Sequence, residues 1–290
     1  MKIYLAGGVT GNLIKFWQEA MKIYLAGTYS RPFIIEEAMK IYLADLTPFG
    51  RSTYTKIITE NKPFILESFF YLRKQKEWII KMHPFFGDFL LDSGAFSFFD
   101  GKDKNIDWKK YTIEYCNFIN EYKIDKFIEL DIEKITSMSL MEDLRKLIQD
   151  KTGKNPIPVW RPSRGIDNYY RTIEDFDYIA ISASGQYDSA WTRKKGSDIV
   201  LRKLITDAKN HNTKVHGLGY TNLKLLTKVP FYSVDSTAWL YGNRGGYIYH
   251  FNGKTIIQVK MKDKRLIGRP AAIHNFTEWV RFQKYADANL

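Results

Sequence analysis

The sequence predicts an α/β protein folded as a single (β/α)8 barrel, and three observations support this prediction. The chain has 290 residues, and barrels of this type typically need about 250. From residue 85 onward, short apolar runs typical of buried strands alternate with amphipathic stretches typical of helices. The runs end in Asp, Ser or Gly, and functional side chains of barrels collect at strand carboxyl ends. A doubly wound open sheet is the alternative, although no GxGxxG sequence follows the first strand.

Eight apolar runs are the predicted strands. In chain order they are IYLA, FLLDSGAF (89–96), FIELDI (127–132), IPVW (157–160), YIAISASG (178–185), KVHGLG (214–219), FYSVDS (231–236) and GYIYHF (246–251). Strands that alternate with helices indicate a parallel sheet, and eight such units indicate that the sheet closes.

Two of the intervening stretches have clear helical spacing. The first carries Tyr111, Tyr115, Phe118 and Tyr122 on one face. In the second, residues 197–212, the N-cap is predicted to be Ser197 or Asp198. Its predicted apolar face consists of Ile199, Leu201, Leu204, Ile205 and Ala208.

The sequence MKIYLA occurs three times, beginning at Met1, Met21 and Met39. Residues 31–40 are echoed by residues 62–71, which predicts a unit of strand, turn and short helix. The first two units are shorter than the roughly 30 residues of a βαβ unit, so the third is predicted to supply the first barrel strand. The first two copies either form part of the barrel or are additional segments at its edge. We expect one domain over residues 1–290, with the repeated units in residues 1–45.

The composition limits the class of protein. Hydrophobic residues make up 44% of the chain and aromatic residues 16%, which is ample for a large core and argues against disorder. Cys116 is the only cysteine, so a disulfide within the chain and a multi-cysteine zinc site are excluded. No secretory leader and no apolar run near 18 residues is evident, so we expect a cytoplasmic protein with no membrane partner.

The charge balance indicates a polyanionic partner. Lys and Arg number 44 against 32 Asp and Glu, a formal net charge of +12. Such an excess favours nucleic acid, because neutralising phosphates releases bound counterions. The charge does not distinguish DNA from RNA.

Three carboxylates end three different predicted strands: Asp92, Asp131 and Asp235. Strand interiors disfavour Asp, so each is either a helix cap or a site residue, and three at one edge of a barrel favour a site. By the strand period of two, Glu129 and Glu133 lie on the same side as Asp131. Crowded carboxylates raise one another's pKa, which indicates either an acid/base pair or a metal site.

Glycines also gather at the predicted strand ends. They are Gly94, Gly185, Gly217 and Gly219. Without a Cβ they could let a flat ligand approach closely, or they could provide the kinks that a closed barrel needs.

The ordered motifs LDSGAF, ELDIEK, IAISASG, HGLGYTNLKLL and VDSTAW resemble those of the tRNA-guanine transglycosylase superfamily. The chain is most similar to the small phage-type members that place 7-deazaguanines into DNA. The resemblance covers residues 89–239. It implies exchange of guanine for a 7-deazaguanine derivative in nucleic acid, with DNA favoured over tRNA. We expect this reaction to need no cofactor and no metal in this chain. If the protein is phage-encoded, it would act in the host cytoplasm.

The resemblance also implies a role for each matching residue. Asp235 matches the nucleophile that attacks C1′ and holds the sugar, and Asp92 matches the acid/base group beside the reacting centre. Asp131 matches the residue that reads the amino and ring N–H edge of the base. The residues expected to bind the base or line its pocket are Asp131, Ser93, Gly94, Ser182, Ala183, Ser184, Gly185, His216, Gly217, Leu218, Gly219, Trp160 and Arg161.

The residue types suit this chemistry. Exchange at C1′ with retention needs one carboxylate as nucleophile and another as acid/base, as in retaining glycoside hydrolysis. A dry pocket would protect the covalent intermediate, and a duplex base would have to flip out to reach it. Aromatic residues that could stack on the base, or simply pack, are Phe96, Phe98, Phe99, Trp160 and Trp239. Candidate phosphate contacts are Arg161, Arg164, Arg193, Lys194, Lys195 and Arg244.

The chain departs from the family pattern in two places. The tRNA enzymes of the family carry a zinc site of three Cys and one His, and the single Cys116 implies that this subdomain is absent. Trp160 and Arg161 stand where the family has a Gln-Gly pair that touches the base. The inserted base, the choice between DNA and tRNA, and the oligomeric state therefore stay open. The alternative functions are a barrel nucleoside or glycoside hydrolase and an inactive nucleic-acid-binding barrel.

Overall fold

The computed structural model describes residues 38–98, 106–182, 196–220, 226, 228–240, 242, 247–260 and 268–290. These residues form an α/β fold in which a seven-stranded parallel sheet curls into a half-barrel. The strands are β1 Lys40–Ala44, β2 Phe64–Ser68, β3 Asp88–Asp92, β4 Val159–Trp160, β5 Tyr178–Ser182, β6 Lys214–Leu218 and β7 Ser233–Ser236. Their order in the sheet is β3-β2-β1-β7-β6-β5-β4.

Helices follow the strands on the outer side of the sheet. The α-helices in the described ranges are Thr55–Asn61, Phe69–Leu72, Lys76–Met82, Trp108–Glu121, Met138–Thr152, Ile166–Asp175, Ser197–Asn210 and Arg269–Asn289. Short 3-10 helices are Arg51–Tyr54, His83–Phe85, Ala95–Phe98, Pro162–Arg164 and Ala238–Leu240. None of the helices in this part of the chain combines the length and apolar composition needed to span a membrane.

The first parallel strand, β1, lies in the third copy of MKIYLA, as predicted. Its buried residues pair with β2 on one side and β7 on the other, which places this copy at the centre of the sheet. The first two copies lie outside the described residues, so their role stays a prediction.

The predicted strand GYIYHF does not join the parallel sheet. Residues Tyr247–Phe251 form β8, which pairs antiparallel with β9, Ile256–Lys260, in a separate two-stranded sheet. The reason is the turn between them: the Asn252 side chain accepts hydrogen bonds from the backbone N–H groups of Lys254 and Thr255, and Gly253 has a φ of 93°. Such a turn reverses the chain at once. The parallel sheet instead includes β2, which lies in residues 62–71, the segment that echoes residues 31–40.

The predicted strand FIELDI forms only isolated parallel bridges. Phe127 pairs with Leu91 of β3, and Ile128 pairs with Ile157, just before β4. The N–H of Ile128 donates to the carbonyl of Leu91 at 2.9 Å, and the N–H of Ile157 donates to the carbonyl of Phe127 at 2.8 Å. This short segment therefore contacts both outer strands of the seven-stranded sheet.

Two hydrophobic clusters lie on the two faces of the sheet. The larger one fills the space between strands and helices, and the smaller one lies on the concave face. The concave cluster consists of Tyr42, Ala44, Leu66, Leu90, Ile128, Ile157, Val159 and Ala180. Because side chains alternate along a strand, every second residue of β1, β2 and β3 faces inward. Asp88 and Asp92, which flank Leu90 by two residues, therefore share the concave face.

The helix with the aromatic repeat buries three of the four predicted aromatic residues, and the fourth, Tyr122, is the half-buried C-cap. Tyr111, Tyr115 and Phe118 of Trp108–Glu121 are buried, and the Asp107 side chain caps the helix. The Tyr115 hydroxyl donates to the carbonyl of Ile128 at 2.9 Å, which fastens the helix to the sheet.

The predicted N-cap of the helix Ser197–Asn210 is wrong. Gly196 occupies the N-cap position, and no side chain caps this end. The predicted apolar face is also incorrect at one position, because Ile199 is 40% exposed and Val200 is buried instead. The helix is therefore rotated slightly from the orientation that the sequence suggests.

Candidate active site

Two of the predicted site carboxylates, Asp131 and Asp235, act on the third, Asp92. Burial raises the pKa of Asp92 from its ordinary 3.8 to about 6, and the negative charges of Asp235 and Asp131 add to this rise. Only carboxylates that share one region can act on each other in this way. The carboxyl ends of β3 and β7 and the segment after Ile128 thus bring Asp92, Asp131 and Asp235 together.

The turn after Asp92 depends on glycine. The N–H of Gly94 donates to Asp92 Oδ2 at 2.8 Å, and Gly94 has a φ of 77°. A Cβ at this position would lie 2.5 Å from Cβ of Phe70 and 2.6 Å from Oγ of Ser68. The close approach of these atoms fixes the turn, which in turn orients the Asp92 carboxylate. Gly94 is buried. Its contact with a base stays a prediction.

Asp235 is held by two hydrogen-bond donors on one oxygen. The N–H of Gly219 donates to Asp235 Oδ1 at 2.7 Å, and Nε2 of His216 lies 3.3 Å from the same atom. Within the described residues, no group is hydrogen-bonded to the other oxygen, Oδ2. The described residues therefore orient the carboxylate through one oxygen, Oδ1.

A chain of hydrogen bonds continues behind Asp235. Nδ1 of His216 lies 2.6 Å from Oγ of Ser233, and this Oγ lies 2.7 Å from the Tyr178 hydroxyl. His216 has 0% exposure. His216 therefore lies behind Asp235, where the imidazole orients the carboxylate, and its predicted contact with a base stays a prediction.

The acidic row around Asp131 is neutralised by arginines. Nε of Arg161 lies 3.1 Å from Asp131 Oδ1, and a terminal nitrogen of Arg161 contacts Oδ2. Nε of Arg164 lies 2.6 Å from Glu133, and Nε of Arg145 lies 2.6 Å from the buried Glu129. The described residues contain no group of three or more His, Cys, Asp or Glu side chains arranged to hold a metal ion.

Two predicted phosphate contacts belong to this row. The side chains of Arg161 and Arg164 are only 3% and 6% exposed, so both are structural ion-pair partners and cannot lie on the surface against a phosphate. The acidic residues bury these two side chains, whereas Ser163 between them is exposed. The predicted role of Asp131 in reading a base stays a prediction, although the guanidinium groups of Arg161 and Arg164 already pair with its carboxylate.

Several other predicted site residues pack inside the protein. The indole N–H of Trp160 donates to the carbonyl of Gly165 at 3.1 Å, and that of Trp239 donates to the carbonyl of Ala44 at 2.9 Å. Both rings are fully buried, which supports packing over stacking on a base. A Cβ on Gly217 would lie 3.0 Å from the rings of Tyr220 and Phe231, so this glycine allows close aromatic packing.

The remaining predicted residues have varied positions. Ser93 and Ser182 are buried at the ends of β3 and β5, Leu218 is half-buried, and Gly219 is exposed. Phe98 packs against the rings of Phe70, Trp108 and Tyr111. Ala183, Ser184, Gly185, Phe99, Arg193, Lys194, Lys195, Arg244 and the side chain of Phe96 lie outside the described residues.

Sequence reasoning missed Ser68, the last residue of β2. Ser68 is in register with Asp92, so both side chains point to the same face of the sheet. Its Oγ is buried and has no hydrogen-bond partner in the described part of the chain. An unpaired hydroxyl beside an acid/base candidate is a further potential ligand contact, and recognising FILES as a strand would have indicated it.

Asp88, at the other end of β3, has the opposite environment. Lys126 Nζ lies 2.6 Å and Lys40 Nζ 2.7 Å from its carboxylate, and the Tyr42 hydroxyl donates to it at 3.0 Å. Burial alone raises the pKa of Asp88, but the two lysines outweigh burial and hold the pKa below its ordinary value. Asp92, by contrast, has no cationic partner among the described residues. The same strand thus carries one neutralised carboxylate and one that resists ionisation.

This arrangement can perform acid/base and nucleophilic chemistry. A carboxyl group with a pKa of about 6 exchanges protons readily near neutral pH. A second carboxylate, fixed by Gly219 and His216, can act as a nucleophile. Pairs of carboxylates in such different environments are typical of acid/base assignments in enzymes.

The comparisons with known proteins do not identify a family for this chain. No family model matches the sequence, and no curated protein matches it at a significant level. The resemblance to the transglycosylases therefore depends on the motifs quoted above, and a function depends on the geometry of Asp92 and Asp235.

Proposed function

We propose that the chain is a pentosyltransferase that exchanges guanine for a 7-deazaguanine derivative in nucleic acid, with DNA favoured over tRNA. The observation that carries the proposal is the pair of carboxylates Asp92 and Asp235. Asp92 has a pKa raised to about 6 and no described cationic partner, whereas two donors hold Asp235 through one oxygen. A double displacement at a sugar carbon requires this pairing of an acid/base group with a fixed nucleophile.

In the first step, Oδ2 of Asp235 attacks C1′ of the nucleotide. The bond from C1′ to the guanine nitrogen breaks, and protonated Asp92 donates its proton to the departing base. Asp92 is left as a carboxylate and Asp235 as a glycosyl ester. A pKa near 6 lets Asp92 hold this proton in a useful fraction of molecules near neutral pH.

In the second step, the incoming 7-deazaguanine loses its ring N–H proton to Asp92. The resulting nitrogen attacks C1′, and the ester bond to Asp235 breaks. Each step forms one bond and breaks one bond, so neither an oxidant nor a cofactor is consumed. Asp92 returns to its protonated form and is ready for the next exchange.

The proposed barrel is closed, as the resemblance implies. The bridges from residues 127–128 to β3 and to Ile157 supply an eighth position between the two outer strands of the sheet. When the register is followed from partner to partner once around this circuit, it returns displaced by eight residues. Eight strands with a stagger of eight are the dimensions of (β/α)8 barrels, which supports closure.

The proposal is tested by incubating the protein with labelled 7-deazaguanine precursors and guanine-containing DNA or tRNA. We expect label to enter nucleic acid with the wild type and not with Asp235→Ala. Asp125→Ala is the matched control, because Asp125 is 83% exposed and its one ion pair within the described ranges is with Lys154 at the surface. It should leave label uptake unchanged.

Other outcomes distinguish the alternatives. Release of free guanine without any label uptake would identify a hydrolase that uses water as the second nucleophile. Binding of nucleic acid without either product would identify an inactive binding protein. Either result, obtained with all 7-deazaguanine precursors, contradicts the exchange reaction.

A further inference from the structure

A basic cleft lies on the outside of the sheet, between two segments that follow β2 and β3. It has a volume of about 340 Å³ and lies between the segment that follows β2 and the helix Trp108–Glu121. The residues that line it are Phe69, Arg73, Lys74, Lys76, Glu114, Asn117 and Phe118. Because this segment leaves the carboxyl end of β2, the cleft begins at the same edge of the sheet as Asp92.

Arg73 lies in this cleft beside two aromatic rings, with part of its hydrogen-bonding capacity unused among the described residues. Its guanidinium lies 5.3 Å from the ring centroid of Phe70 and 5.1 Å from that of Tyr111. Its Nε is buried and has no hydrogen-bond partner among the described residues. The one described ion pair, to Glu114, is long at 3.4 Å. A buried donor without a partner is rare, and a guanidinium fixed between two rings is prepared for a planar anion contact.

The two rings that hold Arg73 also contact the turn after Asp92. The Tyr111 hydroxyl donates to the carbonyl of Ser93 at 2.7 Å. The backbone N and Cβ of Phe70 lie against Gly94, within 2.9 Å of a Cβ built there. Phe70 and Tyr111 therefore each contact both the Arg73 guanidinium and the turn that orients Asp92.

The charge of the cleft favours an anion. Arg73, Lys74 and Lys76 line it together with a single acidic residue, Glu114. Lys76 pairs with Glu121 at 2.9 Å, but both side chains are about half exposed, so this pair is weak. Lys74 is exposed and makes no ion pair in the described part of the chain. Tyr71, between Phe70 and the lysines, is 46% exposed.

We infer that Arg73, assisted by Lys74, binds a phosphodiester of the nucleic acid strand whose nucleotide occupies the active site. The inference rests on the proposed function, because it places the strand that the exchange reaction needs. The two terminal nitrogens of Arg73, at the exposed end of a side chain that is 28% exposed, donate to two phosphate oxygens, an arrangement that a lysine cannot reproduce. Such a contact fixes the position of the strand without reading its sequence.

The test is the salt dependence of binding of a fluorescent single-stranded oligonucleotide that contains guanine, in DNA and RNA versions. For Arg73→Gln we expect an affinity loss of roughly tenfold or more at low salt. The slope of log affinity against log salt should fall by about 0.7, the value for one phosphate on a single strand. Arg281→Gln is the matched control, because Arg281 is 62% exposed on the last helix; it should change neither quantity.

Arg73→Lys keeps the positive charge and removes the planar fork. It should retain the salt slope and lose part of the affinity, which separates a phosphate contact from a packing role. If Arg73→Gln and Arg73→Lys both bind like the wild type, the inference is wrong and the exchange reaction is untouched. If the wild type binds neither oligonucleotide even at low salt, the nucleic acid substrate itself is wrong, and the proposed function falls with the inference.

Discussion

Replacing Asp92 by Asn should stabilise the folded protein at neutral pH. A carboxyl group whose pKa is raised on folding gives its full contribution to stability below its unfolded pKa, and this contribution is lost as the pH rises through the folded pKa. For Asp92 the window extends from the ordinary 3.8 to about 6. Asn has no charge to lose, and its amide oxygen can still accept the hydrogen bond from Gly94.

The size of the effect follows from the two pKa values. Each unit of pKa corresponds to about 1.4 kcal/mol, so a rise from 3.8 to about 6 corresponds to at most about 3 kcal/mol. Asp92 is half-buried, and water that reaches the carboxylate reduces this value. At pH 7.5 the variant should therefore be more stable than the wild type by about 2–3 kcal/mol, and near pH 4 the difference should vanish.

Asp88→Asn is the matched control on the same strand. Lys126 and Lys40 hold the pKa of Asp88 below its ordinary value against the effect of burial, so its contribution is present above pH 3.8 and is lost in more acidic solution. Removing this charge leaves two lysines without their shared partner. Asp88→Asn should therefore destabilise the protein at pH 7.5, which is the opposite sign to Asp92→Asn.

The assay is equilibrium unfolding in urea, followed by the fluorescence of the seven tryptophans at pH 4.0, 6.0 and 7.5. Equal destabilisation by both substitutions at pH 7.5 would refute the reasoning, because it would show that ionised Asp92 is stabilised in the folded state. A stabilisation by Asp92→Asn that persists undiminished at pH 4.0 would also refute it, since the cause would then be unrelated to charge.

Two further predictions concern residues that support the site. His216→Gln should slow formation of the glycosyl ester by roughly ten- to a hundredfold without changing KM for the incoming base, because Gly219 still binds Asp235 while its second donor is displaced; a changed KM with an unchanged single-turnover rate would contradict this role. Gly94→Ala should destabilise the protein by about 3 kcal/mol in the urea assay, because the φ is 77° and the Cβ would meet Phe70 and Ser68. Gly153→Ala, with a φ of 66° and no neighbouring atom within 4 Å, should cost about 1 kcal/mol; equal losses would show that the contacts at Gly94 are unimportant.

Much of the fold follows from local pattern. The strands β1, β3, β5, β6 and β7 lie where apolar runs predict them, and the helices between them have the expected spacing. The grouping of Asp92 with Asp235 was also predictable, because the carboxyl ends of parallel strands meet at one edge. These features depend on residues that are close in the sequence and on the regular side-chain period of strands and helices.

The errors arise where distant partners decide the outcome. GYIYHF has the pattern of a strand, but only the Asn252–Gly253 turn reveals that its partner is the next segment of chain. The arginines of the loop after β4 look like surface charges until the acidic row of residues 129–133 is placed beside them. The role of His216 likewise depends on Ser233 and Asp235, which lie on the adjacent strand.

Trapping the bond between sugar and protein decides whether Asp235 is the nucleophile. A guanine-containing oligonucleotide is mixed with the protein in the absence of an incoming base, the reaction is quenched with denaturant, and the protein is digested and analysed by mass spectrometry. We predict an adduct equal to the oligonucleotide minus guanine on the peptide that contains Asp235, and none with Asp235→Asn. An adduct on any other residue, or release of guanine without any adduct, would contradict this mechanism.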